Sequence, residues 1–217
     1  VVHSTTKYMD GHATQLGGVI VDSGNFDWTN GNFPEFTEPD QSYHGVVYTR
    51  DFGRAAYITK ARVQLMRDLG CYPSAQAAFL LNHGLETLHL RMERHCQNAE
   101  QVARFLQQHG KVESVNYPTL AEDPYHQLAQ KYLLNGCSGV ISFSLTGGRE
   151  AAVRFIDSLK LASLVVHVAD VRTLVLHPAS STHRQLTDEQ LVAAGIHPGM
   201  IRLSVGIEHV DDIIEDL

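Results

Sequence analysis

The chain has 217 residues, 43% hydrophobic and 19% charged, with a formal net charge of −7. That profile fits one large globular domain, or one domain plus part of another. An acidic balance without a basic stripe argues against nucleic-acid binding, and no stretch approaches the roughly 20 apolar residues of a membrane span.

Taken in order, Val1–Val2 followed by Ser4-Thr5-Thr6 reads as a strand entering a turn. Gly17-Gly18 leads into Val19-Ile20-Val21, a short buried strand closed by Asp22-Ser23-Gly24. From Asn25 to Gly45 the chain is rich in aromatics, Pro, Asn and Asp without periodicity. That is the mark of a long functional loop. Ile58, Ala61, Leu65 and Leu69 then form a helical apolar stripe that Gly70 ends. Over 71–109 the spacing predicts one long linking helix with Leu81, Leu85, Leu88, Met92, Cys96, Ala99, Ala103 and Leu106 on its inner face. Past Gly110, strands ("VESVNYP", "GVISFSL", "RTLVLHP", "MIRLSVGI") alternate with helices ("DPYHQLAQKYL", "GGREAAVRFIDSLK", "HVDDIIEDL"). Such alternation predicts an α/β domain over 110–217. Cys71, Cys96 and Cys137 contain no C-x-x-C pair and read as reduced, buried thiols of a cytoplasmic protein. No targeting leader is visible, and a chain that opens on Val1 is expected to lack an upstream segment.

Chemistry concentrates in "HSTTKYMDGHATQLGG", His3 to Gly18. Ser4-Thr5-Thr6-Lys7 matches S-x-x-K, but neither S-D-N nor K-T-G follows, which argues against a serine acyl-enzyme. A lysine between a strand and a glycine-rich turn can instead bond covalently to pyridoxal phosphate while nearby hydroxyls hold the phosphate. By spacing alone an S-T-T-K run is more often just a strand end. Glu86-x-x-His89 occurs once and lies opposite the apolar stripe, so it reads as a solvated helix face, and no metal site is expected.

The segment "HSTTKYMDGHATQLGGVIVDSGNFDW" resembles the cofactor-lysine segment of the pyridoxal-phosphate enzymes of cysteine and methionine metabolism. "FTEPDQSYHGVVY", "NHGLETLHLRMERH", "GGREAAVRFIDSLKLAS", "RTLVLHPASSTHRQL" and "IRLSVGIEHVDDIIEDL" resemble further segments of that family, in order and along essentially the whole chain. The resemblance implies a fold-type I α/β transferase in which residues 1–70 end the large cofactor domain and 110–217 form the C-terminal domain. It implies Lys7 as the cofactor lysine, Ser4 and Thr6 as phosphate ligands, and Arg202 in "RLSVG" as the grip on the substrate α-carboxylate. The implied reaction is replacement of acetate on O-acetyl-L-homoserine by sulfide, in a homotetramer. Cystathionine γ-synthesis, methionine γ-lysis and a non-catalytic fragment are the alternatives. Lys7 and Arg202 should bring their tips within about 15 Å, the span of a cofactor and a small substrate.

Two departures stand out. Where related lyases have a serine opening "SLGG", this chain has "HVADV", with His167 at that position and Ala169 replacing a glycine. Direct carboxylate recognition by His167 is therefore not expected. In the family about half the polypeptide precedes the lysine and carries the phosphate loop, the ring-stacking aromatic and the acid facing the pyridinium. This chain by itself is accordingly not expected to form a working cofactor site.

Overall fold

The computed structural model describes residues 1–217. They divide into two compact units, Val1–Thr5 with Leu16–Phe79, and Thr6–Gln15 with Leu80–Leu217.

In the first unit, β1 (Val2–Ser4) pairs antiparallel with β2 (Gly18–Ile20). The expected buried strand is not buried: Ile20 is 42% and Val21 55% exposed. Two strands make a ribbon with no second layer, and alternate side chains then face solvent. The 25–45 segment is better ordered than a bare loop. It contains α1 (Pro34–Thr37), started by a proline whose missing N–H costs nothing at a first turn. Its aromatics build a small core in which Trp28 stacks on Phe36 and Tyr57, centroids 4.4 and 5.2 Å apart. Further turns follow as α2 (Tyr48–Phe52), α3 (Ala56–Lys60) and α4 (Arg67–Leu69), closed by Gly70 in the left-handed conformation. Of the stripe, Ala61 is buried while Leu65 and Leu69 are exposed.

The region read as one long helix is two, α5 (Ala75–Glu86) and α6 (Leu88–Gln108), broken at Thr87. Thr87 leaves the helical well (φ −109, ψ 3), and its hydroxyl accepts from Arg91 Nε, 3.1 Å. The inner face of α6 is also not the apolar stripe alone. Its first turns bury Arg91, His95 and Asn98 at helical spacing, and only then Ala99, Val102, Ala103 and Leu106.

The second unit carries a five-stranded sheet. It comprises β3 (Val112–Asn116), β4 (Val140–Leu145), β5 (Ser163–Leu164), β6 (Leu174–Leu176) and β7 (Met200–Ser204), in the spatial order β3-β4-β7-β6-β5. All neighbours are antiparallel except β5 and β6. Alternation decides which face is covered. Ile141, Phe143 and Leu145 of β4 and Ile201 and Leu203 of β7 are buried in one cluster with α6, α8 (Gly148–Ser158) and α10 (Val210–Asp216). Arg202, out of phase with Ile201 and Leu203, lies on the other face, opposite Ser142 of β4 and Leu176 of β6. The remaining helices are α7 (His126–Tyr132) and α9 (Asp188–Ala193). Thr187 and Gln190 cap α9 reciprocally, a signal the hydrophobic pattern did not raise. The cysteines are free thiols, but Cys71 is exposed and Cys96 and Cys137 are half-buried, so none is fully buried.

Candidate functional site

Lys7 sits in a turn, Thr5–Met9, whose helical path breaks at the lysine itself (φ −92, ψ −131). Its neighbours hold it from several directions. Gly11 N–H donates to the Lys7 carbonyl, 2.8 Å. The Tyr8 carbonyl accepts from Arg91 Nη1, 2.9 Å, and the Tyr8 hydroxyl accepts from Gly139 N–H, 2.8 Å, at the head of β4. The Tyr8 ring meets His95 edge-on, centroids 5.1 Å apart, and burial pushes the phenol pKa up. Asp10, buried, accepts from Thr14 N–H and Oγ1 at 2.8 and 2.7 Å. Gly84 of α5 lies so close that a Cβ there would stand 2.5 Å from the Asp10 carbonyl and 2.6 Å from that of Met9.

The buried polar face of α6 therefore has a purpose. Arg91 also donates to Gly84 O (2.7 Å), His95 Nδ1 pairs with Val205 O (2.7 Å), and Asn98 Nδ2 donates to Gly206 O and Glu208 O (3.0 and 2.9 Å). One helix face clamps both the lysine turn and the chain just beyond β7. Sequence reading missed these residues, although their i, i+4, i+7 spacing was available.

On the sheet face opposite that apolar cluster, Arg202 Nη2 donates to Val166 O (2.6 Å) and His167 O (3.3 Å), while Nε and Nη1 make no hydrogen bond. Burial alone lowers the Arg202 pKa from its ordinary value, and no carboxylate pairs with it. Lys7 Nζ lies 3.2 Å from His167 Nδ1 and likewise has no carboxylate partner. The two cations, 195 residues apart in sequence, thus end on one histidine, one at its ring and one at its carbonyl. Burial, and then the Lys7 charge, lowers the His167 pKa, and its buried Nε2 has no hydrogen-bond partner.

The His167 loop is pinned at both ends. Ala169 N–H donates to Ser204 Oγ (2.8 Å), Val171 N–H to Gly11 O (2.9 Å), and Val165 N–H to Val175 O (3.2 Å). Ala169 is buried and left-handed, φ +70, a conformation that favours glycine at that position.

Thr6 is buried in the lysine turn, whereas Ser4 belongs to the first unit and ends β1 as an exposed residue. Glu86 and His89 are exposed, and no group of three or more His, Cys, Asp or Glu side chains is placed to hold a metal ion. His177 is a structural histidine, its ring spanning Ser180 Oγ (2.9 Å) and Pro198 O (2.7 Å).

Lys7 and Arg202 thus both bond to His167, and neither is ion-paired with a carboxylate. The model of the Cys/Met metabolism PLP-dependent enzymes matches residues 1–217. The chain belongs to this family. It is 51% identical to a homocysteine synthase of Schizosaccharomyces pombe and 50% identical to an O-acetyl-L-homoserine sulfhydrylase of Leptospira meyeri, each alignment using all of this chain and 51% of the relative. A Campylobacter jejuni crystal structure, of a protein assigned as an O-acetylhomoserine (thiol)-lyase, contains N'-pyridoxyl-lysine-5'-monophosphate. It superposes with a TM-score of 0.89 at 43% identity, over 99% of this chain and 52% of that one. The fold is the α/β fold of fold-type I pyridoxal-phosphate enzymes. The chain spans about half the length of the curated relatives it matches.

Proposed function

We propose that this chain supplies the lysine-bearing half of a pyridoxal-phosphate enzyme that converts O-acetyl-L-homoserine and sulfide to L-homocysteine and acetate. The observation that carries the reading is the convergence of Lys7 and Arg202 on His167, two half-buried cations neither of which is ion-paired with a carboxylate. The donor set fits the cofactor: a primary amine on Lys7 for the aldehyde, the hydroxyl of Thr6 in the same turn for the phosphate, and a buried His167 Nε2 that has no hydrogen-bond partner. Thr6 and Lys7 are neighbours in one turn; the part of Ser4 rests on family resemblance.

When bound, pyridoxal phosphate supplies an electron sink beside the substrate amino group. The residues of this chain do the rest. Arg202 leaves Nε and Nη1 without a partner on opposite edges of its guanidinium, and either can give a substrate carboxylate one charge-assisted hydrogen bond. That grip would orient Cα, and the free amine of Lys7 would move protons at Cα and Cβ while acetate is lost from Cγ and sulfide adds there. The turn break at Lys7 and the clamp through Tyr8, Arg91 and Gly84 fix the backbone from which the amine reaches, which limits the volume it must search before each transfer.

The reading extends to a cytoplasmic homotetramer, with residues 1–70 completing the large cofactor domain, 71–109 linking, and 110–217 forming the C-terminal domain. No helix is long and apolar enough to cross a membrane. Borohydride reduction of the loaded protein should fix the cofactor mass on Lys7, and Lys7→Ala should abolish both that mass and turnover. Sulfide-dependent homocysteine formation from O-acetylhomoserine, run against cysteine as acceptor, separates this activity from cystathionine synthesis. Cofactor mass on another residue refutes the assignment.

A further inference from the structure

We propose that His167 is a positioning residue for Lys7: its imidazole Nδ1 accepts a hydrogen bond from the Lys7 amine whenever that amine is not covalently engaged, and so parks it on the residue whose carbonyl Arg202 holds. This inference rests on the reading of Lys7 as the cofactor lysine.

Three observations carry it. The first is the contact itself, Lys7 Nζ to His167 Nδ1 at 3.2 Å across 160 residues of sequence. An ammonium has no acceptor capacity, so the ring must offer its Nδ1 lone pair and carry its proton on Nε2. The second is that the ring has no other hydrogen bond. His95 and His177 each bond a backbone carbonyl through the ring, as structural histidines do, whereas the one ring contact of His167 is the Lys7 amine. A histidine kept for packing would not have its single ring contact on a mobile four-carbon amine. The third is that the backbone of His167 is fixed independently of its ring. Ala169 and Val171 anchor the loop to β7 and to Gly11, and Arg202 holds the carbonyl of His167. The ring is therefore a preset acceptor, and the same residue couples the amine to the carboxylate grip. Replacing a small polar residue by histidine brings an acceptor out to where a released lysine tip can reach it.

The arrangement predicts a particular pH behaviour. The charged groups facing His167 are Lys7 and Asp10 from the lysine turn, Asp170 and Arg172 from its own loop, and Arg202 from β7. Burial and the Lys7 cation outweigh the two carboxylates, so the ring protonates only below the ordinary histidine value of 6.5. Protonation occupies Nδ1 and breaks the contact. Positioning should thus be present at neutral pH and lost as pH falls below that value.

The test compares His167→Leu and His167→Asn with the parent, in cofactor-loaded and cofactor-free protein. Asparagine can accept a hydrogen bond without titrating; leucine can do neither. For His167→Leu the expected results are an approximately tenfold fall in kcat with little change in KM, and an approximately tenfold slower attachment of pyridoxal phosphate to the cofactor-free protein, read by absorbance. For His167→Asn, both rates should recover most of the loss and the acid limb of the kcat profile should disappear. If His167→Leu does not fold, the acid limb of His167→Asn decides alone: its persistence overturns the proposal. Parent-like attachment rate, kcat and acid limb in His167→Leu also overturn it. Borohydride labelling of the parent separates this outcome from failure of the underlying reading, since cofactor mass absent from Lys7 refutes the reading, whereas mass on Lys7 with unaffected His167 variants refutes only the inference.

Discussion

Arg202→Lys keeps the charge at the carboxylate grip and removes the guanidinium's separate donor edges, so it isolates what geometry contributes. In the structure Nη2 is committed to two backbone carbonyls, at 2.6 and 3.3 Å, and the donors left for a ligand are Nε and Nη1. A lysine amine on the same strand could reach either the Val166–His167 carbonyls or a carboxylate, but cannot serve both as a planar guanidinium does. Each charge-assisted hydrogen bond contributes about 1.5–3 kcal/mol, so losing the one that Nε or Nη1 gives the carboxylate should cost about 2–3 kcal/mol of substrate binding. That corresponds to a rise in KM of roughly 30- to 150-fold. The value of kcat should change far less, because the carboxylate is gripped in ground and transition state alike. Arg202→Ala should be worse in both parameters, since it also releases the carbonyl of His167. Steady-state kinetics with O-acetylhomoserine, with cofactor occupancy checked by absorbance, measures this. A KM within about threefold of the parent at full occupancy would show that Arg202 does not hold the substrate.

Other expectations concern the frame. Gly84→Ala would press a methyl group against the Met9 and Asp10 carbonyls, at 2.6 and 2.5 Å, and should destabilise by about 2–3 kcal/mol in urea unfolding while lowering cofactor occupancy at Lys7. Asn98→Ala removes two buried donors from Gly206 O and Glu208 O and should cost about 2–3 kcal/mol, read as a lower urea midpoint with an unchanged slope. Asp170 is buried, which raises its pKa, yet the Arg172 side chain (2.9 and 3.0 Å) and backbone N–H outweigh burial and leave it below the ordinary carboxylate value. Its folded form is the more acidic one. Its contribution is therefore complete above an unfolded pKa of about 3.9 and is lost as pH falls through the lower folded value. The urea midpoint should drop less between pH 5 and pH 3 in Asp170→Asn than in the parent, and an equal drop would assign the acid sensitivity to other carboxylates.

The sequence by itself determined the elements whose signal is local. Alternation in "GVISFSL" and "MIRLSVGI" marks β4 and β7, because a pleat sends successive side chains to opposite faces, and Gly110 and Gly70 stand where helices end. The collinear family segments pointed to Lys7, Ser4, Thr6 and Arg202 before any coordinates. Tertiary structure decided the rest, for reasons no window of residues carries. Nothing local marks Arg91, His95 and Asn98 as buried, because desolvating a polar group is tolerable only when a distant carbonyl meets it, here those of Tyr8, Val205 and Gly206. The break at Thr87 depends on its hydroxyl meeting Arg91, and the exposure of β2 on its ribbon having no second layer. His167 is the sharpest case. In sequence it is a departure from a serine with no assigned role, and only the folding of a pinned loop across the lysine turn sets its ring 3.2 Å from Lys7.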